Sequence, residues 1–221
     1  MTHRLTITAV EPVTHNVKQF TFEKPAGYTF EPGQATEVGL DKDGFREDKH
    51  PFTFTALPGW TDLQFTIKLY PEHDGMTKQI GTLQKGDVFL IEDPWGTITY
   101  KGKGTFIAGG AGVTPFIAIL RQLEKDGQLD GHRLIFANKT SSDIILRDEF
   151  SSMDGLETLY VLSEEEAEGC EKGRIDKAFL KAHVDDFAQN FYVCGPEKMV
   201  KDIKSALKDL GAEPDGVVFE E

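Results

Sequence analysis

Polar and apolar residues alternate from near the start of the chain. Leu5-Thr6-Ile7-Thr8-Ala9-Val10 and Val17-Lys18-Gln19-Phe20-Thr21-Phe22 place every second side chain on one face. That is the period of a half-buried strand. Gly33 to Leu40, Phe52 to Leu57 and Leu63 to Leu69, separated by Pro and Gly turns, read as further strands. Gly86 to Asp93 reads as a last one, closed by Pro94-Trp95-Gly96, and Gly75 to Leu83 predicts one short helix. Six short strands at this spacing predict a small antiparallel barrel over residues 1–100.

The rhythm changes after Lys101-Gly102-Lys103-Gly104, a short polar joint. Strands are expected at Thr105–Ala108, Arg133–Ala137, Glu157–Leu162, Asn190–Cys194 and Gly216–Phe219. Helices are expected between them at Thr114–Lys125, Ile144–Phe150, near Asp176–Ala182 and at Pro196–Leu210. Strand–helix alternation predicts a parallel sheet covered by helices on both faces, over residues 104–221. The fold class is therefore β followed by α/β, in two domains.

The turn between the first strand and first helix of the second half is Gly109-Gly110-Ala111-Gly112, almost without side chains. Thr114 suits the helix N-cap and Pro115 the first helical position. Bare backbone at a helix start favours an anion such as a nucleotide diphosphate. The spacing is not G-x-G-x-x-G, since Pro115 stands where the last glycine would be. By itself the stretch is equally a tight turn where a helix packs on a sheet. Cys194-Gly195-Pro196 is a second bare turn at a strand end, where open parallel sheets bind ligands. In the barrel half, His50-Pro51-Phe52-Thr53 joins an aromatic face to a hydroxyl, a combination suited to a flat heteroaromatic group. The alternative is a plain amphipathic strand with buried phenylalanines. Asp74-Gly75-Met76-Thr77 is either a phosphate contact at a helix start or a simple cap.

Composition narrows the functional classes. The 221 residues carry a net charge of −13, and both halves are acidic, which disfavours nucleic acid and anionic membranes. Glu164-Glu165-Glu166 reads as a solvated loop. No apolar run approaches the ~20 residues of a membrane helix. Two cysteines, Cys170 and Cys194, allow no four-cysteine metal site. No leader pattern is visible at Met1-Thr2-His3-Arg4, and a reducing cytoplasm is expected.

These motifs, in this order along the whole chain, resemble the ferredoxin–NADP⁺ reductase-like superfamily, of the flavodoxin reductase and cytochrome b5 reductase type. His50-Pro51-Phe52-Thr53 resembles its R-x-Y-S/T flavin motif, in an H-P-F-T form. Asp74-Gly75-Met76-Thr77 resembles its pyrophosphate motif, and Gly86-Asp87 with Pro94-Trp95-Gly96 the usual end of its barrel. Gly109 to Pro115 and Cys194-Gly195-Pro196 are similar to its two nucleotide signatures, and Asn138 to Glu149 to its adenosine-ribose segment.

The resemblance implies a Greek-key FAD-binding barrel and an α/β domain for NADH or NADPH. Hydride would pass from nicotinamide C4 to flavin N5, and electrons onward to a small carrier protein or soluble acceptor. The implied catalytic residues are Thr53, Cys194 and Glu220. Cys194 is a packing and positioning residue, because no activating base stands near it in sequence. The implied cofactor-binding residues of the barrel are His50, Pro51, Phe52, Thr53, Lys68, Tyr70, Gly75, Met76 and Thr77. Those of the α/β half are Gly110, Ala111, Gly112, Thr114, Pro115, Asn138, Asp143, Cys194, Gly195 and Pro196. No metal is expected.

The chain departs from the family at three points. His50 replaces the usual Arg, which implies weaker FAD binding or a gain at lower pH. The chain closes on Val218-Phe219-Glu220-Glu221, so the aromatic cover of the flavin is missing or falls to Phe219. There is no cysteine cluster for an iron–sulfur centre. Asp143 beside the ribose favours NADH, although it also suits a helix N-cap; Lys139 and Arg147 would suit a 2′-phosphate. Two other functions remain open: a non-autonomous electron-transfer subunit or flavin-binding module, and a nucleotide-binding protein without flavin.

Overall fold

In the computed structural model of the chain, residues 1–96, 98–213 and 217–219 are described, the last three through their backbone. The alternating stretches form β1 (His3–Thr14), β2 (Val17–Glu23), β3 (Gln34–Leu40), β4 (His50–Thr53) and β5 (Asp62–Lys68). After α1 (Met76–Gly81) come β6 (Val88–Ile91) and the two-residue β7 (Trp95–Gly96). These strands pair in the order β4-β3-β6-β1-β2-β5, with β7 beside β3, and every pairing is antiparallel. An isolated bridge between Phe54 and Phe65 links the two ends of that order and closes the barrel. Alternation puts Phe20, Phe22, Phe54, Phe65 and Phe89 inside, fully buried and in ring-to-ring contact, with Phe22 and Phe89 centroids 4.9 Å apart.

The fourth strand was expected at Phe52–Leu57 and lies earlier, at His50–Thr53. Beyond Thr53 the chain crosses from one barrel edge to the other. Phe54 N donates to Gln34 O, and Thr55 N to Gln64 O. Closure of the barrel, not the local pattern, ends the strand.

The second half forms β8 (Gly104–Gly109), α2 (Thr114–Lys125), β9 (His132–Asn138), α3 (Arg147–Ser152) and β10 (Leu156–Leu162). It continues through β11 (Cys170–Lys172), α4 (Lys177–His183), β12 (Asn190–Cys194), α5 (Glu197–Asp209) and β13 (Val217–Phe219). The sheet is parallel throughout, in the order β11-β10-β9-β8-β12-β13. Its strand order reverses beside β8, so the carboxyl ends of β8 and β12 flank the crevice where such sheets take ligands.

Local differences from expectation have local causes. Gly110–Val113 already winds a 3₁₀ turn that runs into α2, so the cap is Val113, Thr114 is the first helical residue and Pro115 the second. Helix α3 begins at Arg147 rather than Ile144, because Leu146 takes a left-handed φ of 52°. The short polar β11 was not anticipated. Among the described residues no helix is long and apolar enough to cross a membrane.

The two halves share apolar packing. Val17 of β2 and Ile98 belong to the same buried cluster as Phe116, Ile119 and Leu120 of α2. His132, stacked on Phe106 of this cluster, is buried, its Nε2 2.9 Å from the Tyr100 hydroxyl and its Nδ1 3.0 Å from Leu129 O. Burial, chiefly, holds its pKa below the ordinary histidine value, with Lys103 adding to the effect and the Leu129 hydrogen bond opposing it. The unfolded chain therefore takes up a proton before the folded one does. Stability supported by neutral His132 is present above about pH 6.5 and is lost as pH falls through the depressed folded value. Urea unfolding of wild type and His132→Gln between pH 7.5 and 5 should show a steeper loss in wild type. Parallel curves would remove His132 from the acid limb.

Candidate functional site

The site begins with two turns forced together. Strand β8 runs through buried Phe106, Ile107 and Ala108, and β12 pairs with it so that Cys194 stands opposite Ala108. Both chains then turn at the same level. A Cβ on Gly112 would lie 2.5 Å from the carbonyl carbon of Cys194, so the approach requires glycine. Gly110 has φ 53°, in the left-handed region, and a Cβ there would meet no atom within 4 Å. One glycine thus serves packing, and the other lies on an open face.

Facing these turns is the mouth of the barrel. A cavity of about 490 Å³ lies between them. From the barrel it is lined by Pro51, Phe52 and Thr53 of β4, Lys68 and Tyr70 at the end of β5, and Thr77 of α1. From the parallel sheet come Gly110, Ala111, Gly112 and Thr114, with Cys194, Gly195 and Pro196. Residues more than 140 positions apart in the chain therefore wall one space. Thr53 and Cys194 are buried, Phe52 is half-buried against the barrel core, and the Lys68 ammonium stands 5.9 Å from the centroid of the Tyr70 ring.

A second cavity of about 470 Å³ shares Lys68, Gly109, Gly110 and Pro196 with the first and extends along the sheet's carboxyl edge. Asn138 ends β9 there. It is only 8% exposed, and neither its amide nitrogen nor its amide oxygen has a hydrogen-bond partner. A buried, unbonded amide at a cavity wall has hydrogen-bonding capacity to spare there. Asp143 lies on the same wall but is not the helix N-cap that its position suggested. Thr140 caps the 3₁₀ turn Ser141–Asp143, and Asp143 Oδ2 accepts from Thr140 N at 3.0 Å and Thr140 Oγ1 at 2.8 Å. Its Oδ1 is 3.7 Å from His15 Nε2, across the seam between the halves.

Glu165 is not part of a purely solvated run. Its carboxylate accepts from Ser141 N at 2.8 Å and Ser141 Oγ at 2.9 Å, and so braces the same turn. Of the two cations expected beside the ribose, Lys139 lines the cavity and lies 3.3 Å from Glu164. Arg147 instead stacks over Tyr160, 5.2 Å from the ring centroid, and donates to Glu168 O.

Not every expected residue joins the cavities. His50 is exposed, with Nε2 3.2 Å from Asp48 Oδ1. The Met76 side chain is buried in the barrel core, Gly75 caps α1, and Pro115 is buried in α2. Glu220 lies outside the described residues. The backbone of Phe219 pairs in register with Val193, one residue short of Cys194. Sequence reading missed Thr66 and Ile67 on the first cavity and Ser163, Arg174 and Lys198 on the second. Thr66, a hydroxyl between Phe65 and Ile67, carried a faint signal; Arg174 follows the unanticipated β11 and carried none.

The assembled surface offers aromatic faces at Phe52 and Tyr70, hydroxyls at Thr53, Thr66, Thr77 and Thr114, and two turns of bare backbone. That set suits a flat heteroaromatic ring beside a phosphorylated nucleotide. Residues 106–205 match the oxidoreductase NAD-binding domain family. An NADH-cytochrome b5 reductase 1 of Ajellomyces capsulatus is 32% identical over 234 residues, covering 93% of this chain and 73% of that protein. The reductase component of a propane 2-monooxygenase from Mycolicibacterium goodii is 26% identical over 98% of this chain, which spans 66% of its length. A ferredoxin NADP⁺ reductase from Neisseria gonorrhoeae, solved with bound FAD and NADP, superposes with a TM-score of 0.86 at 22% identity, over 99% of this chain and 98% of that one. The chain belongs to the ferredoxin–NADP⁺ reductase-like superfamily of NAD(P)H-dependent flavoprotein oxidoreductases, which includes the NADH-cytochrome b5 reductases.

Proposed function

We propose that this chain is an FAD-dependent NAD(P)H reductase that delivers electrons to a separate acceptor, with residues 1–100 holding the flavin and 104–221 the nicotinamide nucleotide. The observation that carries this reading is the single cavity walled by Phe52 and Thr53 on one side and by Gly110–Gly112 and Cys194 on the other. Bound FAD supplies the redox chemistry, taking the hydride of nicotinamide C4 at its N5.

The protein's own work is placement. Phe52 packs on the isoalloxazine and Thr53 donates its hydroxyl to the ring edge. Lys68, Tyr70, Thr77 and the backbone at Gly75 and Met76 face the ribityl and diphosphate portion. Thr114 and Cys194 wall the nicotinamide, and the burial of Cys194 keeps water from the reacting atoms. Asn138 uses its unbonded amide on the adenosine half, and Asp143 presents a carboxylate to the ribose hydroxyls. NADH is the favoured donor on this charge pattern. Pro51 and Pro115 act through the φ their rings fix, and His50 opens the strand that carries Phe52 and Thr53. Glu220 is an acid near the flavin in this reading. The acceptor is a small electron-carrier protein or a soluble molecule, and the setting is cytoplasmic. A second reading, a component active only inside a multicomponent complex, draws on the likeness to the propane monooxygenase reductase component.

The deciding measurement is an anaerobic absorbance spectrum of the purified protein. Flavin bands should bleach on adding NADH, and isolated protein should then reduce a generic acceptor. Bleaching without turnover favours the component reading, and failure to retain FAD ends both.

Thr53→Ala and Cys194→Ala should each slow flavin reduction by about tenfold, the scale of a small misplacement, while leaving the melting curve near wild type. Wild-type rates in stopped flow would sink both assignments.

Asp143→Asn keeps an acceptor for the Thr140 cap and removes the charge. The NADPH-to-NADH ratio of kcat/KM should rise about tenfold, equivalent to ~1.4 kcal/mol. An unchanged ratio would take Asp143 out of donor selection.

A further inference from the structure

Arg121 lies on α2, seven residues beyond Thr114, and has no place in the chemistry described so far. Its side chain is only 10% exposed, and its guanidinium is engaged on every side. Nε and Nη2 grip Glu149 of α3 at 2.5 and 2.8 Å. Nη1 donates to the main-chain oxygen of Thr55 at 2.6 Å and to Gln64 Oε1 at 2.8 Å. The guanidinium carbon lies 5.4 Å from the centroid of the Trp60 ring. Arg121 and Glu149 belong to the parallel-sheet half; Thr55, Trp60 and Gln64 belong to the barrel half.

Each end of this clasp leads to a cavity wall. On one side, α2 runs back to Thr114 and the Gly110–Gly112 turn. On the other, Thr55 stands two residues beyond Thr53, and its hydroxyl lies 3.2 Å from that of Thr66, a wall residue. Exposed ion pairs contribute little, but a sequestered guanidinium with a bidentate carboxylate and two further acceptors is a directional joint. Lysine offers a point charge in place of this planar fork.

We infer that Arg121 is a positioning residue that sets the distance between the two walls of the cofactor cavity, and so the alignment for hydride transfer. This rests on the flavin-reductase reading above. Glu149 holds the guanidinium plane, and the Thr55 carbonyl receives it.

The test uses the FAD-loaded protein in anaerobic stopped flow, with the limiting rate of flavin reduction and the NADH dissociation constant read separately. Arg121→Met should lower the limiting rate by about tenfold to a hundredfold. Its flavin content and NADH affinity should stay within about twofold of wild type, and Arg121→Lys should recover only part of the rate. A lower melting temperature with an unchanged limiting rate in the flavin-loaded fraction would make Arg121 purely structural and overturn the proposal. If Arg121→Met does not fold, Glu149→Gln carries the test. A severalfold drop in limiting rate at constant NADH affinity supports the proposal, and a wild-type rate overturns it. The double variant Arg121→Lys, Glu149→Gln should lose less rate than the two single losses combined, and full additivity would deny a shared joint. Wild-type protein that holds FAD but is reduced by neither NADH nor NADPH would overturn the reductase reading itself, together with this one.

Discussion

Two loops have to occupy nearly the same space at the carboxyl ends of β8 and β12. The Gly112 α-carbon and the Cys194 carbonyl come so close that no side chain fits between them. Much of the functional half follows from this contact. It keeps two sets of main-chain groups at one level, beside the reversal in strand order. It also fixes where α2 starts, because the 3₁₀ turn through Gly110–Val113 feeds directly into that helix. A parallel sheet can bring two such turns together only by crossing over between them, which is what strands β9 to β11 and their helices accomplish.

The barrel half contributes a complementary surface with a different economy of parts. Its interior is aromatic, and small hydroxyl-bearing residues stand between the phenylalanines near its mouth. Thr53, Thr55 and Thr66 are all buried or nearly so. Thr55 and Thr66 satisfy one another, while Thr53 is turned to the cavity. The seam between the halves is mixed: Val17 packs among the apolar residues of α2, and polar joints at Arg121 and at His15–Asp143 lie within the same seam. Apolar packing supplies adhesion without direction, whereas hydrogen bonds fix angle and distance.

Much of the architecture was legible because period-two and helical patterns are local properties. The bounds of β12 and α2 could be read to the residue, since Asn190–Cys194 and Thr114–Lys125 are bracketed by turn-forming residues. What escaped was set by distant partners. The end of β4 depends on Phe54 meeting Phe65, and the start of α3 on the backbone of Leu146. Glu165 read as one of three solvated acids, yet it braces Ser141, 24 positions away. Arg121 looked like one polar position on an amphipathic helix, and nothing nearby announces acceptors 57 and 66 positions earlier. The motifs of the site were readable as types, but only the fold shows that Thr53 and Cys194 share a cavity while Met76 does not.

Asn138 carries a consequence for stability as well. An under-bonded amide inside a protein destabilises it by about 1–3 kcal/mol, and a leucine of similar size would avoid that penalty. An asparagine left unbonded at the end of β9 would make the free fold less stable than its core alone allows. On the proposed reading, a nucleotide that completes those hydrogen bonds would relieve the deficit, and affinity and conformational stability would then be opposite faces of one residue. Under that reading, selection for a hardier scaffold at this position would erode binding, and selection for tighter binding would preserve a built-in weakness.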